Sequence, residues 1–187
     1  MTIKPRILVA RAIFPDALAK LEESFEVLSN QADQVFTADE LRQHLEGVSG
    51  ALVTGSERID QNALANAKSL TIAANISVGY NNFDVPAMTS AGVMATNTPD
   101  VLTDTTADFG FALMMATARR MTESEPWIRN GHWDKWSIVH NPLGMDLHHT
   151  TLGIIGMGRI GQGIAKRGLG FGMNVIYHNR KRLSDAD

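Results

Sequence analysis

Short apolar runs alternate with stretches of helical period along the first 98 residues. Ile7-Leu8-Val9-Ala10 is a continuous apolar run, as a strand buried on both faces of a parallel sheet requires. After Pro15, the residues Ala17, Leu18, Leu21 and Phe25 recur at helical spacing. Glu26-Val27-Leu28 is a weaker strand. Thr37-Ala38-Asp39-Glu40 has the capping-box spacing and opens a helix that turns Leu41 and Leu45 inward, with Gly47 just past its end. Residues 50–53, 70–74 and 93–96 read as strands, residues 59–67 as an amphipathic helix, and residues 85–91 as a short helix.

Strands alternating with helices predict an α/β fold, here a flavodoxin-like layer of parallel strands. Residues 101–120, rich in Ala, Leu, Met and Phe, predict a helix apolar on most sides, the kind usually buried between layers or domains. A mixed stretch with Trp127, Trp133 and Trp136 follows over residues 123–146. Thr151 to Ile155 then starts a new strand, followed by a glycine-rich turn, a helix and a strand over residues 174–177. The expected division is residues 1–98 as one domain and 99–187 as the linking helix plus the first βαβ of a Rossmann nucleotide-binding domain. The sequence has no repeat at a fixed period and no low-complexity tract.

Composition narrows the chemistry only a little. The net charge of −3 gives no general reason to expect nucleic acid or an acidic membrane surface as a partner. Cysteine is absent, which excludes disulfides, thiolate metal sites and a cysteine nucleophile. No apolar segment approaches the length of a signal sequence core or a membrane span, so a cytoplasmic enzyme is expected.

The turn Gly156-Met157-Gly158-Arg159-Ile160-Gly161 carries the most specific chemistry. Gly156 permits a tight strand-to-helix turn, Gly158 lets the backbone approach a pyrophosphate, and Gly161 lets helix and strand pack closely. The helix that follows supplies free N–H donors and the positive end of its dipole. The surrounding strand, helix and second strand supply the context that a bare glycine pattern lacks. An NAD site usually places an Asp or Glu at the end of the second strand, on the ribose 2′-hydroxyl. This chain reads Tyr177-His178-Asn179-Arg180-Lys181-Arg182 instead, so NADP(H) is favoured over NAD(H), with NAD still possible. The loop Asn75 to Asp84 lies beyond a strand's carboxyl end, where open α/β sheets bind ligands. The N–H groups of Val78 and Gly79 could hold a carboxylate there, although the same residues also make an ordinary turn.

Taken together, these segments resemble the D-isomer-specific 2-hydroxyacid dehydrogenase family, closest to its glyoxylate, hydroxypyruvate and 2-ketogluconate reductases. The resemblance runs through Val53-Thr54-Gly55-Ser56-Glu57, Val78-Gly79-Tyr80-Asn81-Asn82-Phe83-Asp84, Asn97-Thr98-Pro99-Asp100, Thr105-Thr106-Ala107-Asp108 on to Arg120, Gly131-His132-Trp133 and the glycine turn. It implies that Val78 and Gly79 bind the substrate carboxylate, with Thr54 close to the cleft. It implies that Thr106 approaches the nicotinamide, that Gly156, Gly158, Arg159, Ile160 and Gly161 hold the pyrophosphate, and that Asn179 and Arg180 lie at the ribose phosphate. The implied reaction is NADP(H)-dependent reduction of a small 2-keto acid to the D-2-hydroxy acid, by a homodimer that needs no metal.

The resemblance implies a catalytic Arg, Glu and His beyond Asp187, and none of the six His of this chain matches the family's by motif. The 187 residues alone are therefore expected to be inactive, and an open two-strand remnant is expected to be poorly stable. Other functions remain open: an inactive nucleotide-binding or dimerisation module, another branch such as phosphoglycerate, formate or phosphite dehydrogenase, or a Rossmann protein for S-adenosylmethionine.

Overall fold

A computed structural model describes residues 3–184. Asp187, the position beyond which the catalytic Arg, Glu and His are expected, lies outside the described residues. The chain divides into two compact units after Pro99. The first unit contains β1 (Arg6–Val9), α1 (Pro15–Glu22), β2 (Glu26–Ser29), α2 (Ala38–His44), β3 (Gly50–Val53), α3 (Gln61–Leu64), β4 (Ile72–Asn75), α4 (Val85–Ser90) and β5 (Met94–Thr96). Its five strands are parallel, in the order β2-β1-β3-β4-β5. That order is the flavodoxin-like one, in which the chain reverses its direction of winding between β1 and β3.

Burial explains why these segments are the strands. Leu8 and Val9 are 2% and 0% exposed, and Ala51, Val53 and Ala73 are buried beside them. Helices pack on this layer through Leu41, Leu45, Ala63 and Met88. Side-chain caps set the helix starts. Thr37 and Glu40 form the complete capping box that their spacing predicts, and Asp60 accepts from the N–H groups of Asn62 and Ala63. The cap at Asp60 places α3 over Gln61–Leu64, shorter than the helix that residues 59–67 suggest.

The second unit contains α5 (Thr103–Ala118), α6 (Met121–Arg129), β6 (Thr151–Ile155), α7 (Arg159–Gly170) and β7 (Asn174–His178). β6 and β7 pair in parallel, Thr151 beside Asn174 and Ile155 beside His178. Their inner residues Leu152 and Ile154 join Phe111, Leu147, Met157 and Met173 in one core. α5 and α7 approach closely because glycine lies between them. A Cβ on Gly163 would come within 2.9 Å of the Ala107 Cβ, and one on Gly110 within 3.2 Å of Ile164. Arg167 of α7 closes the contact through ion pairs with Asp104 and Asp108 of α5.

Two expectations need correction. The apolar stretch over 101–120 does form a helix, but only Ala107 and Phe111 of α5 are buried, while Phe109 and Leu113 are 64% and 52% exposed. Nor is the segment after it merely mixed. Arg120 takes a left-handed turn at φ +51° and a second helix, α6, starts at once.

Leu45 is fully buried at the end of α2. Leu45→Ala leaves a cavity and is expected to lower the unfolding free energy by roughly 2–5 kcal/mol, read from urea denaturation. A loss under about 1 kcal/mol would show that this core collapses around the gap.

Candidate functional site

The first unit's loops gather at the carboxyl ends of β1, β3 and β4. β3 runs into Thr54, whose N–H and hydroxyl both donate to one carboxylate oxygen of Glu57 at 2.8 Å. Glu57 is buried, its side chain only 2% exposed, and its second oxygen faces the Arg11 guanidinium at 3.7 Å. Arg11 follows β1, so this pair spans the switch point between β1 and β3. Arg11 also holds Asp33 at 2.9 Å. That hydrogen bond, with one from the Ala12 N–H, keeps the Asp33 carboxyl below its ordinary range.

Beyond β4 the 76–82 loop is tied down by amides. Asn75 is 2% exposed, and its Nδ2 donates to the Gly79 carbonyl at 2.9 Å and to Asn82 Oδ1 at 3.0 Å. Asn82 in turn donates to the carbonyls of Thr54 and Glu57 at 3.0 and 2.9 Å. One hydrogen-bonded chain thus links the switch-point carboxylate to the loop. The N–H groups of Val78 and Gly79 find no acceptor among the described residues. Two adjacent free donors are the kind of group that can hold an anion without a charged side chain.

In the second unit the glycine turn has the predicted local geometry. Gly156 sits at φ +95°, where side chains are disfavoured, and its N–H donates to the His178 carbonyl at 2.9 Å. That bond joins the turn to the end of β7 and hence to the basic loop. A Cβ on Gly161 would fall 2.3 Å from the Gly156 carbonyl oxygen, so glycine is required there. A Cβ on Gly158 would meet nothing within 4 Å, which leaves the turn's outer side open. The N–H groups of Arg159 and Ile160, in the first turn of α7, have no acceptor among the described residues. A helix start in this state has free donors and a positive dipole end for phosphates. The Arg159 guanidinium pairs with Asp100 at 2.7 Å.

The basic loop follows β7, with Asn179, Arg180 and Lys181 lining a surface hollow. Asn179 Nδ2 donates to the Lys181 carbonyl at 3.1 Å, which holds the loop in a tight bend. No carboxylate stands between His178 and Ser184. Thr106 is half-buried in α5, and its hydroxyl makes no hydrogen bond to a described residue, unlike that of Thr117, which donates back to Leu113. Thr54 is different: its hydroxyl is already committed to Glu57.

The sequence assigns no site role to Glu57, Asn75, Asn82 or Arg11. One signal was available for Glu57. Thr54 and Glu57 have the same spacing as Thr37 and Glu40, and both Glu side chains reach back to the Thr N–H and hydroxyl. The Asn and Arg partners come from other elements, and local spacing carries no sign of them. Among the described residues no group of acidic and His side chains could hold a metal ion, and no helix is long and apolar enough to cross a membrane.

Known proteins resemble this chain in sequence and fold. The family model of the D-isomer specific 2-hydroxyacid dehydrogenase NAD binding domain matches residues 111–187. A glyoxylate reductase of Pyrococcus furiosus is 42% identical, over 99% of this chain and 56% of its own length. Among solved structures, the TT0316 protein of Thermus thermophilus is 41% identical with a TM-score of 0.84, over 95% of this chain and 57% of that one. An NADPH-dependent glyoxylate/hydroxypyruvate reductase from Sinorhizobium meliloti, in complex with NADP and malonate, is 36% identical with a TM-score of 0.75, over 97% and 55%. The chain spans a little over half the length of the curated relatives it matches. Residues 111–187, with a glycine turn of this geometry, belong to the NAD binding domain of the D-isomer specific 2-hydroxyacid dehydrogenase family, and the chain is similar to members of that family over almost all of its length.

Proposed function

We propose that the complete gene product reduces a small 2-keto acid (glyoxylate, hydroxypyruvate or 2-ketogluconate) to the D-2-hydroxy acid with NADPH. The observation that carries this reading is the pair of free N–H groups at Arg159 and Ile160, beside a basic loop that has no carboxylate. The residues fit the cofactor: Gly156, Gly158, Arg159, Ile160 and Gly161 would hold its pyrophosphate, and Asn179 and Arg180 its 2′-phosphate. Thr106 would face the nicotinamide side. When bound, that cofactor supplies hydride. Val78 and Gly79 would hold the substrate's carboxylate through their N–H groups. Thr54 shapes the same cleft through its bond to Glu57.

The NADPH preference rests on charge. A carboxylate at the end of β7 would repel a 2′-phosphate, whereas Arg180 can take it with two parallel hydrogen bonds. Arg180→Ala is expected to raise the KM for NADPH by about tenfold to a hundredfold, a loss of one charge-assisted contact, with the KM for NADH little changed. Equal changes for both cofactors would remove Arg180 from the phosphate site.

The acid/base chemistry calls for a His that is positioned by a carboxylate. Among the described residues no His side chain hydrogen-bonds a carboxylate, and His148 faces Asp146 only at 3.8 Å on the surface. The polypeptide ending at Asp187 is thus expected to bind the dinucleotide without turning over, the second reading being a binding module. Glyoxylate reduction by that purified polypeptide at a rate normal for such enzymes would contradict this.

Exposed apolar side chains support a homodimer. Trp136, Val139 and Met145 are 74%, 78% and 72% exposed within one short stretch of the second unit. Exposed apolar side chains mark interfaces where they gather into a contiguous patch. Sedimentation of the complete gene product should give twice the chain mass, and a monomer at micromolar concentration would leave the patch unexplained.

A further inference from the structure

Across a trans peptide the C=O and N–H point in opposite directions, so whatever grips the carbonyl decides where the N–H aims. The two N–H groups assigned to the substrate carboxylate belong to consecutive peptides, Ser77–Val78 and Val78–Gly79. The Ser77 carbonyl accepts from the main-chain N–H of Thr98 at 3.0 Å. The Val78 carbonyl accepts from Asn97 Nδ2 at 2.8 Å. The chain leaving β5 therefore holds both peptides from behind. The first grip is main chain and independent of residue type. The second needs the Asn97 amide.

We propose that Asn97 is a positioning residue of the carboxylate site, acting through the Val78–Gly79 peptide without touching the substrate. Its donation has two effects. It fixes the plane of a peptide that lies outside any helix or strand and ends in glycine, which turns freely. It also draws electron density toward the Val78 oxygen, which makes the Gly79 N–H a stronger donor. With the plane reversed, the Val78 carbonyl would face the carboxylate and repel it. Asn75 fixes the following peptide in the same way, from the Gly79 carbonyl, but Asn75 is buried and also holds Asn82. Asn97 is half-buried with this one described side-chain bond, so it can be changed with less damage to the fold.

The inference rests on the reading that Val78 and Gly79 hold the carboxylate, and the test separates the two. In the complete gene product, Asn97→Ala should raise the KM for glyoxylate and the inhibition constant of oxalate about tenfold, with the NADPH dissociation constant within about twofold of wild type. Asn97→Asp has the same shape and no donor for the Val78 carbonyl, so it should raise both at least as much, whereas a packing role would tolerate it. Val78-Gly79 is the only Val-Gly pair in these 187 residues, and in the complete gene product labelled with carbonyl-13C valine and 15N glycine its signal is identified as the one lost in Gly79→Ala. The Gly79 amide proton should move downfield on adding oxalate to wild type, and upfield in ligand-free Asn97→Ala. A wild-type amide that responds to oxalate, with KM unchanged in both variants, would overturn the role of Asn97 alone. A wild-type amide indifferent to oxalate would overturn the carboxylate reading and this inference with it. If Asn97→Ala fails to fold, the Asp variant decides by the same two readouts.

Discussion

Backbone N–H groups seldom go without an acceptor, because stripping water from an unpaired donor costs about 1–3 kcal/mol. Among the described residues, two such pairs lie at strand ends suited to a ligand, Val78 and Gly79 beyond β4 and Arg159 and Ile160 beyond β6. Each lies past the carboxyl end of a parallel strand, where an open α/β sheet has no further pairing to offer. Much of the surrounding structure keeps these donors exposed and aimed. Carbonyls on the reverse side are occupied by Asn75, Asn97 and Thr98 in one unit. In the other, Gly156 turns the chain at a positive φ and Gly161 yields the space that a side chain would fill.

The proposed backbone anion site has a consequence for charge. It needs no cationic side chain at the ligand, so the unit's buried ionic pair is free for a structural task. Glu57 and Arg11 meet across the point where the strand order reverses. A buried carboxylate is tolerated only when it is paired and hydrogen-bonded. One oxygen of Glu57 takes two donors from Thr54, while the other has no hydrogen bond and only the Arg11 guanidinium opposite at 3.7 Å. The same carboxylate sets Thr54, and the main-chain carbonyls of Thr54 and Glu57 accept from Asn82 of the 76–82 loop.

The legible parts of the sequence were those written in local spacing. Continuous apolar runs marked β1 and β3, the Thr37–Glu40 spacing marked α2, and three glycines marked the dinucleotide turn. Apolar composition misled over α5, because a helix rich in Phe, Leu and Met is normally buried, and here much of that surface is open. Pro126 concealed α6, since proline inside a helix removes a hydrogen bond, yet the helix runs through it. The amide network of Asn75, Asn82 and Asn97 was silent because its contacts join residues that are 19 to 28 positions apart as well as near neighbours. No periodicity records such pairs, and only the folded chain brings them together.

The central claim is that open N–H groups receive anions at both places. The most direct measurement is a crystal structure of the complete gene product grown with NADPH and oxalate. The pyrophosphate is expected on the N–H groups of Arg159 and Ile160, the 2′-phosphate against Arg180, and an oxalate carboxylate on Val78 and Gly79. A dinucleotide bound away from residues 156–161, or oxalate held by side chains with Val78 and Gly79 still vacant, would contradict it.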